Sequence, residues 1–314
     1  MPHVNTVLGP IHPSQMGFTA MHEHVLWGPP GWEYDSKWWW SMPRVFEKCS
    51  TDLVDFRQLG GATFVDCSGI GLGRDIDMYV TLARTTGVHL VACTGFWADR
   101  GILGYFRVRD IDYLEELFVD ELTKGMGKTG VKAGIIKVGN TSKQPMSALE
   151  KLTYRAAARA AKKTGAAVTT HGITAAREQF QILRDEGLDA ERIIIGHCDA
   201  KYALDLERDK DLARQGAYVG YDHIGIEAWS PQPYGMPDSE RIELVQAMLK
   251  AGHRDRLILS ADVNSFSLGW STTPLHTVGH LLRYFVPAMR AAGIDDDTIT
   301  HLFVENPRRV LPMQ

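Results

Sequence analysis

The sequence contains no run of eighteen apolar residues, so no stretch reads as a transmembrane helix. It has no large excess of one charge, with 34 Lys and Arg against 38 Asp and Glu and a net charge of −4. That balance argues against nucleic acid or an anionic membrane as a partner. The four cysteines, Cys49, Cys67, Cys93 and Cys198, form no C-x-x-C pair and no framework spacing. They are expected to be buried thiols of a cytoplasmic protein. The opening residues 1–13 lack the basic flank and apolar core of a secretory leader, which fits the same compartment. No linker or low-complexity segment interrupts the chain, so residues 1–314 are expected to form a single domain. No Gly-rich phosphate loop follows an early strand, and a dinucleotide-binding sheet would carry one.

What is present is a repeated unit of short apolar strand, loop and amphipathic helix. The first strand carries His22-Glu23-His24. Further strands are expected at 62–67, 89–94, 133–138, 167–171, 192–197, 217–222 and 257–262. Helices are expected near 44–59, 75–87, 111–125, 146–164, 173–187, 201–215, 238–251 and 276–291. Continuous apolar strands alternating with helices imply a parallel sheet buried on both faces. Eight such units imply an α/β fold of the (β/α)8 TIM-barrel type, with an open doubly wound sheet as the alternative.

Chemistry in such a barrel sits at the C-terminal ends of the strands. The residues there are His22, His24, Lys137, His171, His197 and Asp262. Strand side chains alternate, so His22 and His24 share a face and Glu23 takes the other. Taken singly, each has a plain reading: a surface His-x-His, a hydrogen-bonded core histidine, a salt-bridged lysine. Taken together, six ionisable groups closing apolar strands need partners or metal. Four histidines and an aspartate exceed the needs of one four-coordinate zinc and suit two divalent ions about 3.5–4 Å apart. Two cations need a bridging anion. An ammonium at Lys137 would repel them, whereas a neutral lysine reacts with carbon dioxide to form an anionic, bidentate carbamate.

These residues resemble the phosphotriesterase-related family of the amidohydrolase superfamily along nearly the whole chain. Thr6-Val7-Leu8-Gly9-Pro10-Ile11, Gly17-Phe18-Thr19 and His22-Glu23-His24 resemble its opening signature. Ala133-Gly134-Ile135-Ile136-Lys137-Val138 resembles its carboxylated-lysine strand. Val168-Thr169-Thr170-His171, Ile195-Gly196-His197, Tyr221-Asp222-His223, Ser260-Ala261-Asp262 and the closing Glu305-Asn306-Pro307-Arg308-Arg309-Val310-Leu311 follow in the family's order.

The resemblance implies that His22, His24 and Asp262 hold the more buried metal, and His171 and His197 the more exposed one. Lys137, as N6-carboxylysine, and a hydroxide would bridge them. The implied activity is attack of that hydroxide on a lactone or carboxylic ester, with Asp262 taking the proton. Phosphotriester hydrolysis is the alternative, and a non-catalytic binding barrel is a third reading. Zinc, manganese, cobalt or iron would suit the ligands. A homodimer is also implied.

Trp97 and His223 match the organophosphate-hydrolysing branch, where lactone hydrolases usually carry Tyr and Arg. His223 reads either as a proton relay from Asp262 or as a loop histidine bonded to a carbonyl. One position departs from the pattern. The phosphotriesterases follow the His197 position with Ser-Asp-Asp; here Cys198-Asp199-Ala200 follows, and the relay lacks its second Asp.

Aromatic residues crowd the loops after the strands. Trp27, Trp32, Tyr34 and Trp38-Trp39-Trp40 follow the first, and Trp97, Tyr105 and Phe106 the third. Trp229 and Tyr234 follow the seventh, and Phe266 and Trp270 the eighth. They suggest an apolar or aromatic small-molecule substrate contacted by Trp27, Trp97, Phe106, Trp229 and Trp270. Trp38 to Trp40 fit a dimer interface or self-packing equally well. Arg100, Arg107 and Arg109 read either as a site for an acidic substrate or as a solvated helix start.

Overall fold

Strand and helix alternate along the whole chain in the computed structural model, which describes residues 1–141, 145–172, 174–227, 235–269 and 276–313, and Trp38 by its backbone alone. Trp229, Tyr234 and Trp270 lie outside the described residues. An antiparallel hairpin opens the chain, β1 (Val4–Thr6) and β2 (Gly9–Ile11). The eight expected strands follow as β3 (Phe18–Trp27), β4 (Gly61–Asp66), β5 (His89–Phe96), β6 (Ile135–Gly139), β7 (Val168–His171), β8 (Ile193–Ile195), β9 (Tyr218–Tyr221) and β10 (Leu257–Leu259). Neighbours in the chain are neighbours in the sheet and every pair is parallel, so the doubly wound alternative falls.

Closure runs through the residues after β10. Asp262 N donates to His22 O at 3.0 Å, and His24 N to Val263 O at 2.8 Å. A short strand not expected from the sequence, β11 (Asn264–Ser267), then pairs with the end of β3. The result is a (β/α)8 barrel. Inward residues from alternating strand positions fill its lower half: Met21, Val65, Cys67, Val91, Cys93, Ile135, Ala167, Ile194, Tyr218 and Ile258. Val4 from the hairpin and Val310 and Leu311 from the end of the chain plug this cluster. The lower end is solid, and the polar strand ends meet at the other. All four cysteines are buried free thiols.

The helices are α1 (Met42–Gln58), α2 (Ile76–Thr86), α3 (Gly104–Arg107), α4 (Ile111–Thr123), α5 (Ala148–Thr164), α6 (Ala176–Asp185), α7 (Leu206–Arg214), α8 (Asp238–Lys250) and α9 (Val286–Ala291), with two short ones near the end of the chain. Their starts follow capping chemistry. Ser147 and Glu150 form a capping box on α5, and Asp75 and Asp110 cap α2 and α4. The helix expected from 201 begins at Leu206, because Asp205 caps it by accepting from Arg208 N. The helix expected over 276–291 is split. Pro287 cannot donate into the ladder, and residues Leu281–Phe285 before α9 take the wider π register. No helix among the described residues is long and apolar enough to cross a membrane.

Candidate metal centre

Strand periodicity aims the first of the site residues. Ile135 points into the barrel, so Lys137, two residues on, does too and is fully buried. Its Nζ touches His22 Nε2. Among the described residues no carboxylate pairs with it. Two glycines permit the approach of β5 to β6. A Cβ on Gly95 (φ +101°) would lie 2.0 Å from Lys137 O, and one on Gly139 would lie 1.6 Å from Trp97 O.

The other five expected residues converge around this amine. His24 Nε2 lies 3.1 Å from Asp262 Oδ1, and His22 Nε2 lies 4.0 Å from the same oxygen. Ligand atoms of His22, His24 and Asp262 all fall within 4.8 Å of one another. On the far side, His171 Nδ1 and His197 Nε2 face each other at 2.6 Å. The His22 and His197 rings are 4.8 Å apart, joining the two groups.

Protonation states suit cation binding. Burial, with help from the Lys137 charge, pushes His22 down to about 4. Burial and then His197 and Lys137 hold His171 well below the usual imidazole range. Both rings are neutral at pH 7 and present lone pairs. Burial opposes ionisation of Asp262, but the His24 hydrogen bond and the surrounding imidazoles hold its carboxyl well below the usual range. Neutral imidazoles and an ionised carboxylate converging on one point make a donor set that fits divalent metal.

Asp222, at the end of β9, is a site residue that sequence reasoning missed. Its Oδ1 accepts from His197 Nδ1 at 2.7 Å and His197 N at 2.8 Å, and its Oδ2 lies 3.0 Å from His22 Nδ1. One buried carboxylate thus hydrogen-bonds the ring at the end of β8 and stands in ion-pair range of the His22 ring on β3. It keeps the ring protons on Nδ1 and turns both Nε2 atoms to the cluster. Its own carboxyl is held well below the usual range: burial opposes this, and the charges of His197 and His22 override it. The available signal was position, a polar residue closing an apolar strand like the expected ligands. His24 Nδ1 is held in the same way by Ser68 Oγ at 2.8 Å. Gln179, also unanticipated, donates to His171 O at 3.2 Å, Gly172 O at 2.8 Å and Asn140 Oδ1 at 2.7 Å, fixing the end of β7.

Glu23 faces away from the cluster. It accepts from Ser260 Oγ at 2.7 Å, Ala261 N at 2.9 Å and Val263 N at 2.9 Å, stitching the closing seam. Burial pushes its carboxyl up to about 8 against those three bonds.

The aromatic residues divide by place. Trp97 lies against His171, with ring centroids 5.4 Å apart, and meets Trp27 edge-on at 6.2 Å. Phe106 stands farther out, between Phe96 at 5.2 Å and Tyr105 at 5.1 Å. Trp40 folds onto Phe266 at 5.4 Å, whereas Tyr34 and Trp39 are exposed. Trp32 and Met42 line a lateral cavity of about 640 Å³ that none of the six converging residues borders.

Residues 2–311 match the Phosphotriesterase family. The chain belongs to that family. A "Phosphotriesterase homology protein" of Mycobacterium tuberculosis is 30% identical over 332 residues, covering 100% of this chain and 99% of that protein. The human "N-acetyltaurine hydrolase" is 28% identical and covers 98% and 97% of the two chains. An "Aryldialkylphosphatase" of Saccharolobus solfataricus is 28% identical, with 95% and 96% covered. A solved structure described as "Molecular Engineering of Organophosphate Hydrolysis Activity from a Weak Promiscuous Lactonase Template" superposes with a TM-score of 0.91 at 27% identity, covering 98% and 99%.

For this phosphotriesterase-family member, the departure at Ala200 has a structural answer. Asp199 lies 3.2 Å from His223 Nδ1 through Oδ1 and accepts from His223 N at 3.1 Å through Oδ2. His223 therefore has a carboxylate partner without an acid at 200. The ring stacks on His197 at 4.5 Å, and its Nε2 is 3.7 Å from Asp262 Oδ2. Burial alone would lower its pKa; the charge and hydrogen bond of Asp199 raise it. Behind Asp199 stands Arg241, fully buried, which donates to Asp199 Oδ2 at 3.0 Å, Asp238 Oδ1 at 3.0 Å, Met236 O at 2.5 Å and Ile226 O at 2.9 Å.

Proposed function

We propose that this phosphotriesterase-family hydrolase uses two divalent metals, zinc first among them, to open lactones or cleave carboxylic esters. The observation that carries the reading is Lys137: a fully buried amine against His22 Nε2, ion-paired to no carboxylate among the described residues, inside a ring of histidines. An ammonium there would be a buried charge with no carboxylate in direct contact, costly by several kcal/mol. Carboxylated by carbon dioxide, the same side chain becomes an anion able to bridge two cations. His22, His24 and Asp262 would hold one metal, His171 and His197 the other, with Lys137 between. Metals bound there would polarise the substrate's carbonyl oxygen and make water nucleophilic at neutral pH.

The chain's own residues do the rest. As water adds to the acyl carbon and the acyl C–O bond to the alcohol breaks, Asp262 takes the proton from the attacking water and His223 receives it through Nε2. The leaving alkoxide is protonated in turn from His223 or solvent. Asp199 orients His223 by its contacts to Nδ1 and the backbone N–H. Asp222 and Ser68 fix the ring tautomers. Trp27 and Trp97 wall the mouth and exclude water from an apolar acyl or alcohol group. A second reading, phosphotriester hydrolysis, is favoured by Trp97 and His223 at the positions that match that branch.

The test is metal-depleted protein reloaded with Zn²⁺, Mn²⁺ or Co²⁺ and bicarbonate, compared on lactones, aryl esters and phosphotriesters. The expected result is two metals per subunit and the highest kcat/KM on lactones or aryl esters. Phosphotriesters ahead by several decades would transfer the assignment to the second reading. Well under one metal per subunit with no turnover would remove the enzyme reading and leave a binding barrel.

A further inference from the structure

The loop after β5 carries three arginines, and the structure separates them. Arg107 is engaged: its Nη2 lies 2.6 Å from Asp99 Oδ1, and its Nη1 donates to Asp99 O at 2.6 Å. Arg109 lies over Tyr105 and Tyr113, 4.3 and 4.8 Å from their ring centroids. Arg100 is different. Its guanidinium lies over the Trp97 ring at 4.5 Å, it is exposed, and no carboxylate among the described residues lies within ion-pair distance. The adjacent Asp99 is already occupied, Oδ1 by Arg107 and Oδ2 by Ser147 Oγ at 2.7 Å.

Lying over an indole restrains the guanidinium while leaving N–H donors at its edge for an oxyanion. The same indole is 5.4 Å from the His171 ring, so this cation stands one aromatic ring away from the cluster. A protein of net charge −4 offers acids little long-range attraction, so an acidic substrate needs a local cation of this kind.

We infer that Arg100 is a specificity-determining residue that binds an anionic group, a carboxylate or sulfonate, on the substrate while the scissile carbonyl sits at the His171 side of Trp97. The inference rests on the hydrolase reading above. His171 and Arg100 each contact Trp97, at 5.4 and 4.5 Å, so a substrate reaching both would carry its anion at the far end of an arene or short chain from the scissile carbonyl.

Matched substrates test it in metal-loaded protein at low salt: 4-acetoxybenzoate and 4-acetoxybenzenesulfonate against neutral 4-acetoxybenzamide. One charge-assisted contact at an exposed site is expected to favour an acid by about tenfold in kcat/KM, through KM. The two acids show which anion is preferred. In Arg100→Gln the acid-to-amide ratio falls toward one, in Arg100→Lys it is partly kept, and in Arg109→Gln it is unchanged. A wild-type ratio near one overturns the inference. So does a preference that survives in Arg100→Gln, since it then belongs to the metals. Calorimetry with 4-hydroxybenzoate and 4-hydroxybenzamide reads the same preference without turnover. Acid preference lost in Arg100→Gln, with no substrate hydrolysed, keeps the anion site and removes the hydrolase reading; turnover without preference does the reverse.

Discussion

Replacing Asp222 by asparagine should loosen metal binding without removing a proposed ligand. The carboxylate offers acceptors on both oxygens, one to His197 at 2.7 and 2.8 Å and the other 3.0 Å from His22 Nδ1. Asparagine keeps one acceptor oxygen and puts an NH₂ donor in place of the other. One imidazole then faces a donor. To accept from it, the ring must move its proton to Nε2, and the lone pair aimed at the cluster is lost. The bond that remains changes from charge-assisted, about 1.5–3 kcal/mol, to neutral, about 0.5–1.5 kcal/mol. The combined loss corresponds to roughly 10–100-fold in metal affinity, the range found when a residue that orients a metal ligand is removed. The assay is metal per subunit at equilibrium with buffered free Zn²⁺, followed by kcat/KM against free metal. The variant should need roughly 10–100-fold more metal for half-maximal activity and regain part of its rate at saturation. Wild-type metal affinity in Asp222→Asn would refute the reasoning and make Asp222 an ordinary core acceptor.

Lys137→Met replaces a buried amine by an apolar chain of similar volume, so the metal-free protein should unfold at the same or a higher temperature while metal content and hydrolysis are lost; wild-type metal content would rule out the bridging role. Arg241→Met strips Asp199 and Asp238 of their buried partner and should lower the unfolding free energy by about 3–5 kcal/mol, and a denaturation curve shifted by less than about 1 kcal/mol would contradict that. Burial pushes Cys49 and Cys67 up to about 12, and Cys93 and Cys198 well above the usual thiol range. All four thiols therefore stay protonated at pH 8, so a disulfide reagent should titrate none in native protein and four after denaturation, and rapid native labelling of two or more would count against the burial assigned here.

Where the sequence was legible, the information was local. An apolar run closed by a polar residue marks both a strand and the end of it that meets solvent, and this singled out Lys137, His171, His197 and Asp262. Where it was not legible, the information lay in what another segment supplied. Asn264–Ser267 has no apolar run, and it becomes β11 because β3 offers its edge and Glu23 anchors the amides of Ala261 and Val263 just before it. Ala200 pointed to a broken relay because the family pattern names a position, whereas His223 needs only a carboxylate in reach, and Asp199 provides one. Tryptophan suits a core, a pocket wall or an interface equally, so composition could not separate Trp97 beside His171 from Trp40 on Phe266.

Strand parity shows where the fold was bent to build the site. Lys137 and His171 obey it, each an even number of residues beyond an inward neighbour, Ile135 and Ala167. The His-x-His pair does not. Met21 points inward, so an unbroken strand would turn His22 and His24 toward the helices and Glu23 into the barrel. The β3–β4 register shifts between Ala20 and Glu23, and this irregularity reverses the faces. His197 is likewise odd relative to the inward Ile194, and it takes a left-handed backbone at φ 59° that swings its ring inward. Gly196 before it has to be glycine, since a Cβ there would lie 2.5 Å from Thr170 O. His197 and Asp262, at φ 47°, are the non-glycine residues with positive φ among those described, a conformation that costs about 1–3 kcal/mol each. Buried carboxylates over-determine both places: Asp222 grips the His197 amide and ring, and Glu23 grips the amides on either side of Asp262. Bulge, strained turns and carboxylate clamps all act to bring His22, His24, His197 and Asp262 to one point, a cost that packing alone does not explain and that a bound metal pair would offset.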